Sequence, residues 1–115
     1  MDPVRKIEAI LEPYQLDAVK EALSLIGVRG MTAHEVKYAT REPGARVRYR
    51  SASYVTSLPV RIRLDIVVED DLADAVVRRL VVTANRTRPS DGAITVLPMV
   101  DAVRIRTGER GSDAI

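Results

Sequence analysis

Between Lys6 and Glu12 the residues Ile7, Ala9 and Leu11 alternate with Lys6, Glu8, Ile10 and Glu12, and Pro13 follows. A period of two predicts a strand with one buried face, and proline stops it by removing a ladder donor. The period then changes. Leu16, Val19, Ala22, Leu23 and Ile26 fall on one face of a helix, with Asp17 in its first turn and Gly27 placed to end it in a left-handed conformation. After Val28-Arg29-Gly30, the stretch MTAHEVKY mixes β-branched and polar residues and predicts a second strand. The clearest alternation sets Val60, Ile62, Leu64 and Ile66 against Arg61, Arg63, Asp65 and Val67, a third strand. EDDLADAVVRRLVVTAN opens with acids suited to a helix N-terminus and puts Leu72, Val76, Leu80 and Thr83 on one face. Its valines would suit a strand, but its length and acidic start predict a helix. TRPSDG reads as a turn, AITVLP as a strand and AVRIR as a short terminal strand.

From Ala39 to Ser57 the pattern dissolves into ATREPGARVRYRSASYVTS, which reads as a long loop around a Pro-Gly turn signal. Unstructured loops longer than about 12 to 15 residues are uncommon in compact domains and are usually functional or disordered. The order strand, helix, strand, strand, helix, strand predicts an α+β fold of the ferredoxin-like βαββαβ type, with a four-stranded antiparallel sheet. Two helices cover one face of such a sheet, so the other, expected to carry aliphatic side chains, meets solvent or a partner subunit. This topology hosts many activities and does not specify one.

Composition narrows the picture. The 115 residues fit one domain, residues 1–115, and with 46% hydrophobic residues but no Phe or Trp the core must be aliphatic. No cysteine is present, which excludes disulfides, thiolate metal sites and cysteine nucleophiles. No stretch approaches the ~20 apolar residues of a membrane span, and the N-terminus lacks a leader pattern, so a cytoplasmic, non-membrane protein is expected. The net charge is only +2, yet Ala39 to Arg63 holds Arg41, Arg46, Arg48, Arg50, Arg61 and Arg63 against the single acid Glu42.

Catalysis by acid–base or nucleophilic chemistry needs several cooperating groups, and the one histidine, His34, sits in a strand-like stretch where a cross-strand or surface role suffices. The acids Glu69, Asp70, Asp71 and Asp74 are accounted for by the helix dipole, without a metal. An enzyme is therefore not expected. The arginine-rich loop could attract nucleic acid, but the balanced total charge and only two loop tyrosines, Tyr49 and Tyr54, argue against a single-strand binder. Two stretches suit an anion: RPSDG, a turn of backbone N–H groups beside Arg88, and RIRTGE, which in an extended strand sends Arg104 and Arg106 to one face. Paired guanidiniums match phosphate oxygens with forked, permanently charged donors.

KIEAILEPYQLDAVKEAL, GVRGMTAHEVK, VVEDDLADAVV, SDGAITVLP and AVRIRTGERGSDAI, in that order, resemble the PII signal-transduction family, the nitrogen regulatory proteins. The resemblance implies a homotrimer with adenine nucleotide (ADP, ATP or AMP) in clefts between subunits. It also implies a protruding T-loop, residues 39–57, that controls a target protein such as a transporter or metabolic enzyme. Residues 86–92 match the family's B-loop and residues 104–115 its C-loop and tail. Met31, Thr32, Arg41, Arg88, Ser90, Asp91, Gly92, Arg104 and Arg106 fall at positions around the family's nucleotide, with the C-loop arginines reaching the phosphates from the neighbouring subunit. Tyr54 falls at a T-loop tyrosine that some members modify.

Departures are also present. The glutamine that helps hold Mg2+ and 2-oxoglutarate in the family is Glu42, and the lysine after Leu-Pro reads as Val60 with its carboxylate partner as Leu64, the loop one residue short between Tyr54 and Leu58. Pro89, Ser90 and Ala93 alter the phosphate turn. These differences predict a divergent member with weakened nucleotide binding and no 2-oxoglutarate response, the place of Mg2+ left open. The alternatives are a relative serving bicarbonate or metal-ion transport through another effector, and, outside the family, a basic nucleic-acid-binding module.

Overall fold

A computed structural model describes residues 3–39, 46–49, 52–55, 58–86 and 92–115, the two short internal segments by their backbone. Strand β1 (Val4–Leu11) leads through a 3-10 turn (Pro13–Gln15) into helix α1 (Leu16–Leu25), and β2 (Thr32–Lys37) follows. Strands β3 (Arg46–Tyr49) and β4 (Ala52–Val55) come next, then β5 (Val60–Glu69), α2 (Asp70–Ala84) and β6 (Ile94–Pro98), with a last 3-10 turn at Gly111–Ala114. The main sheet has the order β2-β5-β1-β6, and all its pairings are antiparallel.

Alternation along β1 and β5 assigns the faces. Ile7, Ala9 and Leu11 of β1 and Leu64, Ile66 and Val68 of β5 are buried and pack against Val19 and Leu23 of α1 and Ala73, Val76 and Leu80 of α2. Full burial of a Leu or Ile side chain contributes about 1.5–3 kcal/mol, and these two strands supply half of the core cluster. In α2 the buried stripe is Ala73, Val76, Leu80 and Thr83, with Leu72 at its margin, one position away from the face the spacing suggested. Gln15, itself buried, clamps the helical layer: its Nε2 donates to the Ala84 carbonyl at 2.6 Å and its Oε1 accepts from the Glu12 N–H at 2.9 Å. Gly27 ends α1 with φ at +98°, a conformation that an L side chain strains.

Two expectations need correction. The segment Ala39 to Ser57 is not wholly irregular: β3 and β4 pair antiparallel, Arg46 opposite Val55 and Val47 opposite Tyr54, as a two-stranded sheet of their own. Arg-Val-Arg-Tyr and Ala-Ser-Tyr-Val are four-residue runs, too short to stand out as periodic beside the arginines and serines around them. The molecule is correspondingly elongated, 60 × 27 × 20 Å, with a radius of gyration of 17.0 Å where a compact domain of this length has about 13 Å. The second correction concerns AVRIR, which is not a strand. Only Val103 forms a bridge, to Arg110, and Ile105 to Thr107 turn the chain back.

Candidate functional site

The uncovered face of the sheet is ionic at its centre rather than aliphatic. Asp65 of β5, its side chain only 12% exposed, accepts both Nε and Nη2 of Arg63, at 3.1 and 3.2 Å. His34 Nε2 on β2 lies 3.1 Å from the same carboxylate and Lys6 Nζ on β1 lies 3.8 Å away, while Lys6 also meets Glu8 at 3.2 Å. His34 is thus a cross-strand histidine opposite Arg63, as its setting suggested. Ile10, Val36, Val67 and Leu97 share this face through the strand register and give it an apolar margin.

Register also corrects the reading of Val60 and Leu64. Leu64 is fully buried in the core, and a carboxylate there would face α1 and α2 without water. Residues one further along, Arg61 and Asp65, lie on the open face four positions apart, the same spacing as the family's basic residue and its partner. A shift of one residue in a strand exchanges its two faces, and with Arg61 and Asp65 matched the loop needs no missing residue. Both charges are therefore present, Arg61 also meeting Glu12 at 3.4 Å.

The terminal segment builds a tight turn. The Arg104 N–H donates to the Glu109 carbonyl at 2.9 Å, the Gly108 N–H to the Arg104 carbonyl at 2.7 Å, and Gly108 takes φ +75°. Arg104 is half-buried, and its Nε donates to the Ala114 carbonyl at 3.4 Å; Arg106 stands exposed in the turn. The two arginines therefore do not share a strand face. Arg29 Nη1 donates to the Ile115 carbonyl at 3.2 Å, which brings the tail to the start of β2. The tail is held by its own chain: Asp101 accepts from Arg110 and from the Ala102 N–H, and the Gly111 N–H donates to the Ala102 carbonyl at 3.0 Å. The Arg110 hydrogen bond, foremost, and those of the Ala102 and Gly111 backbone hold the Asp101 carboxyl below its usual range. Beside this tail a cavity of about 320 Å³ opens between Gly27, Val28, Arg29, Val67, Leu72 and Ile115.

The remaining candidate residues divide between two edges. Met31 packs at the margin of the core and Thr32 begins the edge strand β2, opposite Asp65. Gly92 is exposed just before the other edge strand, β6. One cross-strand row runs Thr32, Asp65, Glu8, Thr95, so the two edges stand about 14 Å apart, three strand spacings. Arg41, Arg88, Ser90 and Asp91 lie outside the described residues, as does the side chain of Tyr54, whose backbone is in β4. Asp70 pairs with Arg5, and among the described residues no group of three or more His, Cys, Asp or Glu side chains is arranged to hold a metal ion. No helix among them is long and apolar enough to cross a membrane.

Comparison with known proteins agrees with this architecture. The family described as "Nitrogen regulatory protein P-II" matches residues 4–109. The nitrogen regulatory protein P-II of Azospirillum brasilense is 42% identical over 112 residues, 97% of this chain and all of that protein. The nitrogen regulatory protein P-II 1 of Escherichia coli K12 is 40% identical over the same length. The crystal structure of Arabidopsis thaliana PII bound to citrate superposes with a TM-score of 0.74 at 32% identity, covering 99% of this chain and 94% of that one. Identity near 40% along full-length relatives corrects the expectation of a divergent member; the departures at Glu42, Ser90 and Ala93 are local. Fold and sequence thus coincide over almost the whole length, and the chain belongs to the P-II family of nitrogen regulatory proteins, which regulate rather than catalyse.

Proposed function

We propose that this P-II protein is a trimeric sensor that binds an adenine nucleotide between subunits and signals to a target protein, a transporter or metabolic enzyme, through residues 39–57. The observation that carries the reading is the separation of the candidate residues. Met31 and Thr32 lie at the β2 edge, and Gly92 lies at the β6 edge about 14 Å away. One phosphate group cannot span that distance within a single chain, whereas the β2 edge of one copy beside the β6 edge of the next closes it. Arg104 approaches Ala114 and Arg29 approaches Ile115, so the C-terminal turn belongs with the β2 half-site. Arg106, exposed in the turn, then reaches toward Arg88, Ser90, Asp91 and Gly92 of a neighbour, with Arg41 from the loop.

Arg61 and Asp65 supply a basic residue and a carboxylate at the family's spacing, so a weakened 2-oxoglutarate response rests on Glu42 alone, a carboxylate facing a dianion. Ala93 supplies no cation, which costs a ligand with three phosphates more than one with two. Titration calorimetry with ATP, ADP and AMP, each with and without Mg2+ and 2-oxoglutarate, tests this. Nucleotide binding is expected, with ATP favoured less than a lysine at residue 93 would allow and 2-oxoglutarate adding little. Absence of nucleotide binding refutes the cleft; tight ATP-dependent 2-oxoglutarate binding refutes the role given to Glu42.

A further inference from the structure

The outer side of the helical layer carries a groove that the nucleotide reading does not use. It is about 350 Å³, lined by Ile26 just past α1 and by Ala75, Arg78, Arg79 and Val82 of α2. Ala75, Arg79 and Val82 stand at i, i+4 and i+7, so they share one flank of the helix. Val82 is 56% exposed, and Leu25, adjacent to Ile26, is 81% exposed. Apolar side chains gathered in water with a polar rim mark a contact surface rather than a core.

The charges choose the occupant. Arg5, Arg61, Arg63 and Arg110 each have a carboxylate partner. The side chains of Arg78 and Arg79 are exposed and make no ion pair or hydrogen bond among the described residues, and among those residues no carboxylate lines the groove. Two forked cations beside an apolar floor complement carboxylates flanking apolar side chains, and they repel a basic segment.

We propose that this groove docks an acidic amphipathic helix of a partner protein, its apolar side chains resting on Ile26, Ala75 and Val82 and its carboxylates on Arg78 and Arg79. The aliphatic floor favours a peptide over a nucleic acid, because among the described residues no aromatic ring lines it for a base to stack on. The surface lies on the helical side of the sheet, apart from the β2 and β6 edges used by the nucleotide reading.

The test uses the full chain, isotope-labelled, and a synthetic helix with leucines at i, i+3 and i+7 and glutamates between them. Amide shifts centred on Ile26, Ala75 and Val82 are expected, with affinity falling as salt rises. Arg78→Glu with Arg79→Glu should weaken binding about tenfold or more, Val82→Asp similarly, and Arg79→Lys much less. The substituted side chains are exposed, so an unchanged thermal transition separates lost binding from lost folding. Equal binding of a lysine-for-glutamate peptide, unaltered binding by the double variant, or shifts centred elsewhere overturns the proposal. A short oligonucleotide that shifts these residues more strongly than the acidic peptide overturns it as well.

Discussion

At the residue scale the terminal turn separates two arginines that look equivalent in RIRTGE. Arg104 is folded against its own tail through the Ala114 carbonyl, while Arg106 is exposed. Arg106→Ala should therefore weaken nucleotide binding about tenfold, the loss of one charge-assisted hydrogen bond, and leave the unfolding midpoint unchanged. Arg104→Ala should lower both, and calorimetry beside thermal unfolding distinguishes them. Asp101 makes a second prediction. Its folded pKa lies below the ordinary 3.8, so its contribution is complete above that value and is lost as pH falls through the lower, folded one. Amide protection of Ala102 and Gly111 should hold from neutrality down to about pH 4 and decline below it. Asp101→Asn should already show the reduced protection at neutral pH, with a flatter profile on hydrogen-exchange NMR.

Among the elements, β1 and β5 supply half of the core cluster, and the hairpin β3–β4 forms a two-stranded sheet of its own. Two strands without a third, or a packed helix, are marginally stable in water. Amides of Arg46–Tyr49 and Ala52–Val55 should exchange far faster than those of Ile7 or Ile66 in the free protein, and should slow when a target docks. Hairpin protection equal to that of β1 without any partner contradicts a docking role for residues 39–57. Period-two alternation made β1 and β5 legible before any coordinates, because both faces of each strand are strongly contrasted. The hairpin was not legible, since two four-residue runs set among arginines and serines are too short to show a period.

On the scale of the whole molecule, the proposed trimer rests on the open face. Asp65 gathers Arg63, His34 and Lys6, and the apolar margin of Ile10, Val36, Val67 and Leu97 surrounds that cluster. Light scattering should give a trimer for the native chain. Asp65→Lys, which sets a cation among three basic side chains, should release monomers or unfold the chain at low salt, while Asp65→Glu should assemble normally. A native chain that remains a monomer at micromolar concentration removes the shared cleft. The separation of candidate residues between the β2 and β6 edges became visible only at this scale, because β1, first in the chain, lies between β5 and β6 in the sheet.

By itself the sequence determined the order of elements, the aliphatic core and the family, since periodicity and motif spacing are local properties that survive in one dimension. Tertiary structure decided which face each charge occupies. Leu64 and Asp65 differ by one residue along the chain, yet pairing with β1 and packing under α1 and α2 send Leu64 into the core and leave Asp65, with Arg61, on the open face. It also decided that Arg104 and Arg106 part company, because Gly108 at φ +75° closes a turn where alternation had assumed an extended strand. Left-handed turns and face assignments depend on contacts between distant residues, and those exist only once the chain has folded.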